Sequence, residues 1–353
     1  MKVSAFAILF FFYAMLSAGV IKKSKTKVSF GSFGTLTTET TVQLEGLKKR
    51  VETQKNFESD NMMGQMMGGL MGGTGQSGEI ISLEKMQRIQ LDHPNKRYTV
   101  TPIEKIDWQR YQGEEREERH PEEEEEQKES NVKIIRNEFK VTDTGERKKI
   151  NRFDCRKYLI TWVTEWQNTE TGEKGKDSLA SVVWTTRADK ALEAALAEEK
   201  KFDKLYMEKI GVPVDEMQSE MLGTQWLRMF RAMNRGQQAP EVADQALFKE
   251  MAKIKGYPVV TDGKFFVRTN KKQVAEAEPE PEEEKPDITD VGGLFGGFVK
   301  KALEKKLKGK KKAPKKSGSN LAFSFYNELI DLRTGAVDKV AFEIPKGYKE
   351  VKK

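Results

Sequence analysis

The chain has 353 residues, of which 33% are charged, with a formal net charge of +7, two histidines and a single cysteine. One thiol closes no internal bridge and two histidines build no histidine-rich zinc centre, so a disulfide framework and that class of metal site are excluded. No nucleophile elbow, P-loop, dinucleotide fingerprint or HExxH helix occurs either, so we expect no enzyme, cofactor, metal or nucleic-acid partner.

The first residues, MKVSAFAILFFFYAMLSAG, carry Lys2, an apolar run from Ala5 to Leu16, and then Ser17, Ala18 and Gly19. That is the order of a secretory signal peptide, with small residues at the cleavage site if cleavage follows Gly19. The run is shorter than the ~20 residues that span a bilayer, which disfavours a retained anchor. The expectation is an exported protein, periplasmic or extracellular, with residues 1–19 removed and 20–353 forming one domain.

GTLTTETTVQLEG and LKKRVETQK flank Gly46 and predict a hairpin. NMMGQMMGGLMGG then sets Met62, Met63, Met66, Met67 and Met71 among glycines. Thioethers suit Cu(I), but no Cys or His accompanies them. The segment therefore reads as a flexible apolar loop or a pliable flap touching lipid or cargo. MQRIQLDHPNKRYTVTPI places His93-Pro94-Asn95-Lys96 between two alternating runs, which makes His93 a turn residue rather than a ligand. Ile103, Ile106 and Tyr111 have near-helical spacing and predict a short helix. Next comes EEREERHPEEEEEQKE, whose ten Glu stand against Arg116, Arg119 and Lys128. Its self-repulsion predicts an acidic disordered loop over 114–130.

NVKIIRNEFKVT, DCRKYLITWVTEW and LASVVWTTR predict three strands that reverse at DTGERKK and NTETGEKGKD. Cys155 reads as a small buried hydrophobe, or else as a reactive or intermolecular thiol. Even spacing puts Tyr158, Ile160, Trp162 and Trp166 on one strand face, with Trp184 in the neighbouring strand. These rings either pack an ordinary core or line a cavity, and Tyr158, Trp162, Trp166 and Trp184 are the cavity candidates.

The period then changes to that of a helical excursion over 188–256, with Leu192, Leu196, Phe202, Leu205 and Tyr206 on one face. Gly211-Val212-Pro213 and the stretch from Gly236 to Pro240 divide it into about three helices. YPVVTDGKFFVRT predicts a hairpin turning at Asp262-Gly263.

A charged linker over 270–318 follows. It is acidic from Glu276 to Asp290 and basic from Lys300 to Lys316, where ten Lys oppose Glu304. Between them lies VGGLFGGFVKKAL, in which Phe295, Val299 and Leu303 align on a helical wheel beside Leu294, Phe298 and Ala302. It is too short to span a bilayer, and four glycines weaken it as a helix. It is a plain linker, a lid over a ligand, or a reversible attachment to an anionic membrane surface through Leu294, Phe295, Phe298, Val299, Lys300, Lys301 and Leu303. The surface reading expects the mature protein to float with anionic liposomes at low salt and to release at high salt. Unchanged flotation after deletion of 291–316 would end it. Two strands around Thr334-Gly335 are expected to close the chain.

Together these elements predict an α+β fold: a curled antiparallel sheet of about ten strands with a helical insertion. In chain order, ISLEKMQRIQLDHPNKRYTVTPI, TDTGERKKINRFDCRKYLITW, SVVWTTRADKALEAALAEEKKF and VAFEIPKGYKEV resemble a family of exported bacterial proteins of uncharacterised function, similar in turn to the periplasmic lipoprotein carriers LolA and LolB. Arg152 departs from the family, which usually has Gly before the equivalent of Phe153. The resemblance implies a half-barrel around an apolar cavity and carries over no catalytic residue. The function expected from it is non-enzymatic binding of a lipid or other hydrophobic cargo in that cavity. The alternative is an envelope interaction or scaffold protein whose charged loops contact the membrane surface or a protein partner.

Overall fold

Alternating Thr- and Val-rich segments become strands throughout the computed structural model, which describes residues 19–31, 33–60, 62, 64, 65, 68, 74–106, 132–212, 247, 249–270 and 320–352. The strands are β1 (Gly19–Ser29), β2 (Thr35–Glu45), β3 (Lys48–Glu58), β4 (Gly75–Ser82), β5 (Gln87–Asp92), β6 (Arg97–Pro102), β7 (Val132–Ile150), β8 (Phe153–Asn168), β9 (Lys174–Thr186), β10 (Tyr257–Asn270), β11 (Asn320–Gly335) and β12 (Lys349–Glu350). The acidic loop 114–130, the surface candidates Leu294, Phe295, Phe298, Val299, Lys300, Lys301 and Leu303, and residues 213–246 of the helical excursion lie outside the described residues. So do Met63, Met66, Met67 and Met71, while Met62 is exposed.

Two antiparallel meanders run outward from a seam where β1 pairs with β11, giving the order β12-β6-β5-β4-β3-β2-β1-β11-β10-β9-β8-β7. Only the short β12 on β6 is parallel. Twelve twisted strands cannot lie flat, and the sheet curls without closing. Its two ends are protected differently. At one, the C-terminal segment covers β6. At the other, β7 carries Lys133, Arg136, Glu138 and Lys140, charges that discourage further strand addition.

The hairpins at Gly46, at His93–Lys96 and at Asn168–Glu173 form as expected. Three other expectations do not hold. DTGERKK is a bulge rather than a reversal: Asp143 opposes Tyr158 and Arg147 opposes Arg156, leaving Thr144–Glu146 across from Lys157 alone. Gly145, at φ 73°, and the Asp143 carboxylate, which accepts from its amide at 3.0 Å, absorb the extra residues. The chain turns later, at Asn151 (φ 52°) and Arg152. There the Arg152 guanidinium donates to the Leu332 carbonyl and lies 3.4 Å from Asp331, tying the hairpin tip to β11.

Asp262-Gly263 is not a turn either. β10 runs straight through it, with Gly263 opposite Phe325 and Ser181. A Cβ at Gly263 would sit 2.2 Å from the Phe325 ring, so the glycine clears room for an aromatic and leaves the backbone extended. At the C-terminus β11 is one long strand, and past Gly335 come a 3₁₀ turn (Lys339–Phe342) and the two-residue β12 in place of a second full strand. The helix expected after Pro102 does not begin within Ile103–Ile106, and Tyr111 lies outside the described residues.

Helix α1 (Lys190–Ile210) starts where the Asp189 carboxylate accepts from the Leu192 amide at 2.8 Å and stops at Gly211 in the left-handed region, φ 79°. It lays Leu192, Ala195, Phe202 and Ile210 on β1 and β11, where they join Val20, Leu44, Phe153, Trp184 and Leu332 in the main core. Glu199 to Lys22 at 3.2 Å, Asp203 to Lys49 at 3.1 Å and the Arg88 to Tyr206 hydroxyl bond at 2.6 Å fix its position. Cys155 is 2% exposed in this core, and burial pushes its thiol above the ordinary range, which makes it a packed hydrophobe and a poor nucleophile.

Candidate functional site

Strand alternation sends Tyr158, Ile160, Trp162, Thr164 and Trp166 of β8 to the face opposite the α1 core. The registers continue this face across β9 and β10, with Trp162 opposite Leu179, Leu179 opposite Phe265 and Phe265 opposite Phe323. The result is one apolar rung over four consecutive strands. Its rings stack: Trp162 to Phe265 at 6.4 Å, Phe265 to Phe323 at 5.3 Å and Phe323 to Phe325 at 6.2 Å.

The next rung is polar. Asn137 of β7, Thr164 of β8, Asp177 of β9 and Val267 of β10 follow one another in register. The Asn137 side-chain oxygen accepts from Trp162 Nε1 at 2.6 Å and from the Thr164 hydroxyl at 3.2 Å. Asp177 Oδ2 accepts from Trp166 Nε1 at 3.2 Å. The Trp166 indole lies over Gly175, where a Cβ would come within 2.2 Å of the ring. These two bonds orient both indoles.

Asp177 Oδ1 is shielded from solvent and has no hydrogen-bond partner among the described residues. The adjacent Lys176 points to the other face and pairs with Glu165 at 3.1 Å. Burial pushes the Asp177 carboxyl up to about 6, and the Trp166 bond only partly offsets that effect.

The four cavity candidates therefore separate. Trp162 and Trp166 come together at this site, the first buried and the second half-buried at its edge. Tyr158 shares their face but belongs to a neighbouring cluster with Val141, Ile160 and Val183. Trp184 is on the opposite face, because it pairs with Lys157 and not with Tyr158. It packs in the main core, with Lys148 Nζ 4.2 Å from its ring centroid. Sequence reasoning missed Asn137, Asp177, Phe265 and Phe323. In KGKDSLASV the aspartate has the same parity as Leu179, and that alternation was the available signal.

Two further polar groupings carry pairings of their own. Lys25, Lys27, Asp262, Tyr326 and Glu328 line an open hollow of about 440 Å³ on the Trp184 face. Within it Lys25 pairs with Glu39 at 2.6 Å, and Glu328 accepts from the Tyr326 hydroxyl at 2.9 Å and from Asn151 at 3.1 Å. His93, in its expected turn, does more than turn the chain. Its ring is 2.7 Å from Glu52 through Nε2 and 2.7 Å from the Tyr348 hydroxyl through Nδ1, and Arg50 donates to the Ala341 carbonyl at 2.6 Å. That network ties the C-terminal segment to β3.

No family model, curated protein or solved structure matches the chain. The site is interpreted from its own chemistry.

Proposed function

We propose that this is a non-enzymatic exported protein that binds a lipid or another hydrophobic cargo against the aromatic face of β7–β11, in the manner of a half-barrel carrier. The observation that carries the reading is the rung Trp162, Leu179, Phe265, Phe323. An antiparallel sheet with one face on a core ordinarily turns a polar face outward. Along β8 to β11 the apolar face switches sides: the α1 core lies at one end of the strands, and at the other the stacked rings take the opposite face, with Thr161, Ala180 and Lys264 exposed behind them. Such a surface with a few convergent polar groups, here Asn137, Thr164 and Asp177, is the usual make-up of a small-molecule site. The curled, unclosed sheet and the resemblance to the lipoprotein carriers support the same reading, and the N-terminal leader supports an envelope location.

Native mass spectrometry of the exported, mature protein, followed by organic extraction, tests it. The expected result is an adduct of lipid size that extraction removes. A bare polypeptide mass before extraction would end the proposal.

A further inference from the structure

We propose that Tyr348 is a covalent attachment point: its hydroxyl, set against His93 and Glu52, accepts an acyl group from an activated acyl donor. The proposal does not depend on the cargo reading.

The arrangement is that of a nucleophile, a base and an orienting acid. Arg50 holds one oxygen of the Glu52 carboxylate, Nε to Oε1 at 2.6 Å, and leaves Oε2 to His93 Nε2 at 2.7 Å. A carboxylate only accepts, so in the neutral ring Nε2 carries the hydrogen and Nδ1 turns its lone pair to the Tyr348 hydroxyl, 2.7 Å away. That hydroxyl therefore donates to a base, and the carboxylate behind the base stabilises the imidazolium that forms when the proton moves. A Cβ on Gly78 would sit 2.9 Å from both Glu52 Oε1 and His93 Nε2, so the glycine of β4 leaves the space in which the two meet.

Other half-buried tyrosines have different partners. Tyr326 donates to Glu328, and burial together with that carboxylate pushes its hydroxyl up to about 12. Tyr206 accepts from Arg88, a side chain that takes no proton.

In the step itself, the Tyr348 oxygen forms a bond to the acyl carbon while its proton passes to His93 Nδ1. The bond from that carbon to the leaving group breaks, and the leaving group departs with its electron pair and the proton from Nδ1. The product is a tyrosyl ester. An acyl group suits the position better than a phosphoryl group. Arg50 is spent on Glu52 and on the Ala341 and Glu343 carbonyls, and the Tyr348 ring packs on Ile80, Ile89 and Leu91, surroundings that favour an uncharged electrophile.

The test acetylates the mature protein with N-acetylimidazole at pH 7.5 and follows each tyrosine by peptide mass spectrometry over time. A hydroxyl held in a purely structural bond reacts more slowly than equally half-buried counterparts, whereas a hydroxyl on a base reacts faster. Tyr348 is expected to acetylate about tenfold or more faster than Tyr98, Tyr206, Tyr257 and Tyr326. His93→Gln, which keeps a donor for Glu52 and removes the base, is expected to bring Tyr348 down to their rate. The comparison among tyrosines of the unaltered protein decides the matter even where the variant fails to fold. A Tyr348 no faster than those four, or one whose rate is unchanged in folded His93→Gln, would overturn the proposal.

Discussion

Replacing Phe265 by alanine is expected to lower the stability of the fold by about 3–5 kcal/mol, read as a fall in the urea midpoint. The ring is 5% exposed at the middle of the apolar rung, with Trp162 on one side and Phe323 on the other. Its strand, β10, is hydrogen-bonded on both edges, to β9 and to β11. Neither neighbour can move inward to fill a lost ring without breaking those ladders. The loss is therefore the transfer term of the side chain plus the cavity left behind. Phe265→Leu, which keeps most of the volume, is expected to cost under about 1.5 kcal/mol. A loss below about 1 kcal/mol for the alanine variant would mean that the rings do not pack as a unit, and the aromatic face would lose its place as an organised surface.

The second large effect has the opposite sign. Asp177→Asn is expected to stabilise the protein at pH 7.5 by about 2–3 kcal/mol and to change little at pH 4. Burial raises the Asp177 carboxyl from an ordinary value of 3.8 to about 6, so the folded protein holds its proton more tightly than the unfolded chain does. The stability linked to that proton is complete below about pH 4 and is lost as the pH rises through about 6. A difference of that size in a carboxyl corresponds to about 2–3 kcal/mol. Asparagine never charges and still offers Trp166 an oxygen, so its unfolding curve should be flatter over pH 4–7. Denaturation at pH 4, 5, 6 and 7.5 reads the effect. An asparagine variant less stable than the parent at pH 7.5 would show that the carboxylate already has a favourable partner. A residue that costs stability where the protein works is what a binding site that trades stability for function contains.

Much of the fold was legible locally because its signals act over a few residues. Alternation with Gly46, or with Pro94 and Asn95, announces a hairpin whatever lies elsewhere in the chain. Gly211, in the break that Gly211-Val212-Pro213 announces, ends α1 by a short-range effect of the same kind. The even spacing of Tyr158, Trp162 and Trp166 likewise put these rings on one face before any partner strand was known.

Tertiary structure decided what depended on distant partners. Asp-Gly at 262–263 and Asp-Thr-Gly at 143–145 share the chemistry of turns. Yet β10 runs straight through the first because β9 and β11 flank it and Phe325 needs the space above Gly263, and β7 bulges through the second because β8 continues alongside as far as Phe153. The separation of Trp184 from Tyr158 and Trp162 follows from the pairing of Lys157 with Trp184, a register that hydrophobic pattern alone leaves open when both faces of a strand are apolar. Asp177 was one acid among many in a highly charged chain. Only the packing of β7, β8, β9 and β10 side by side took its second oxygen out of water without giving it a partner, because burial belongs to the assembled sheet and not to any single strand.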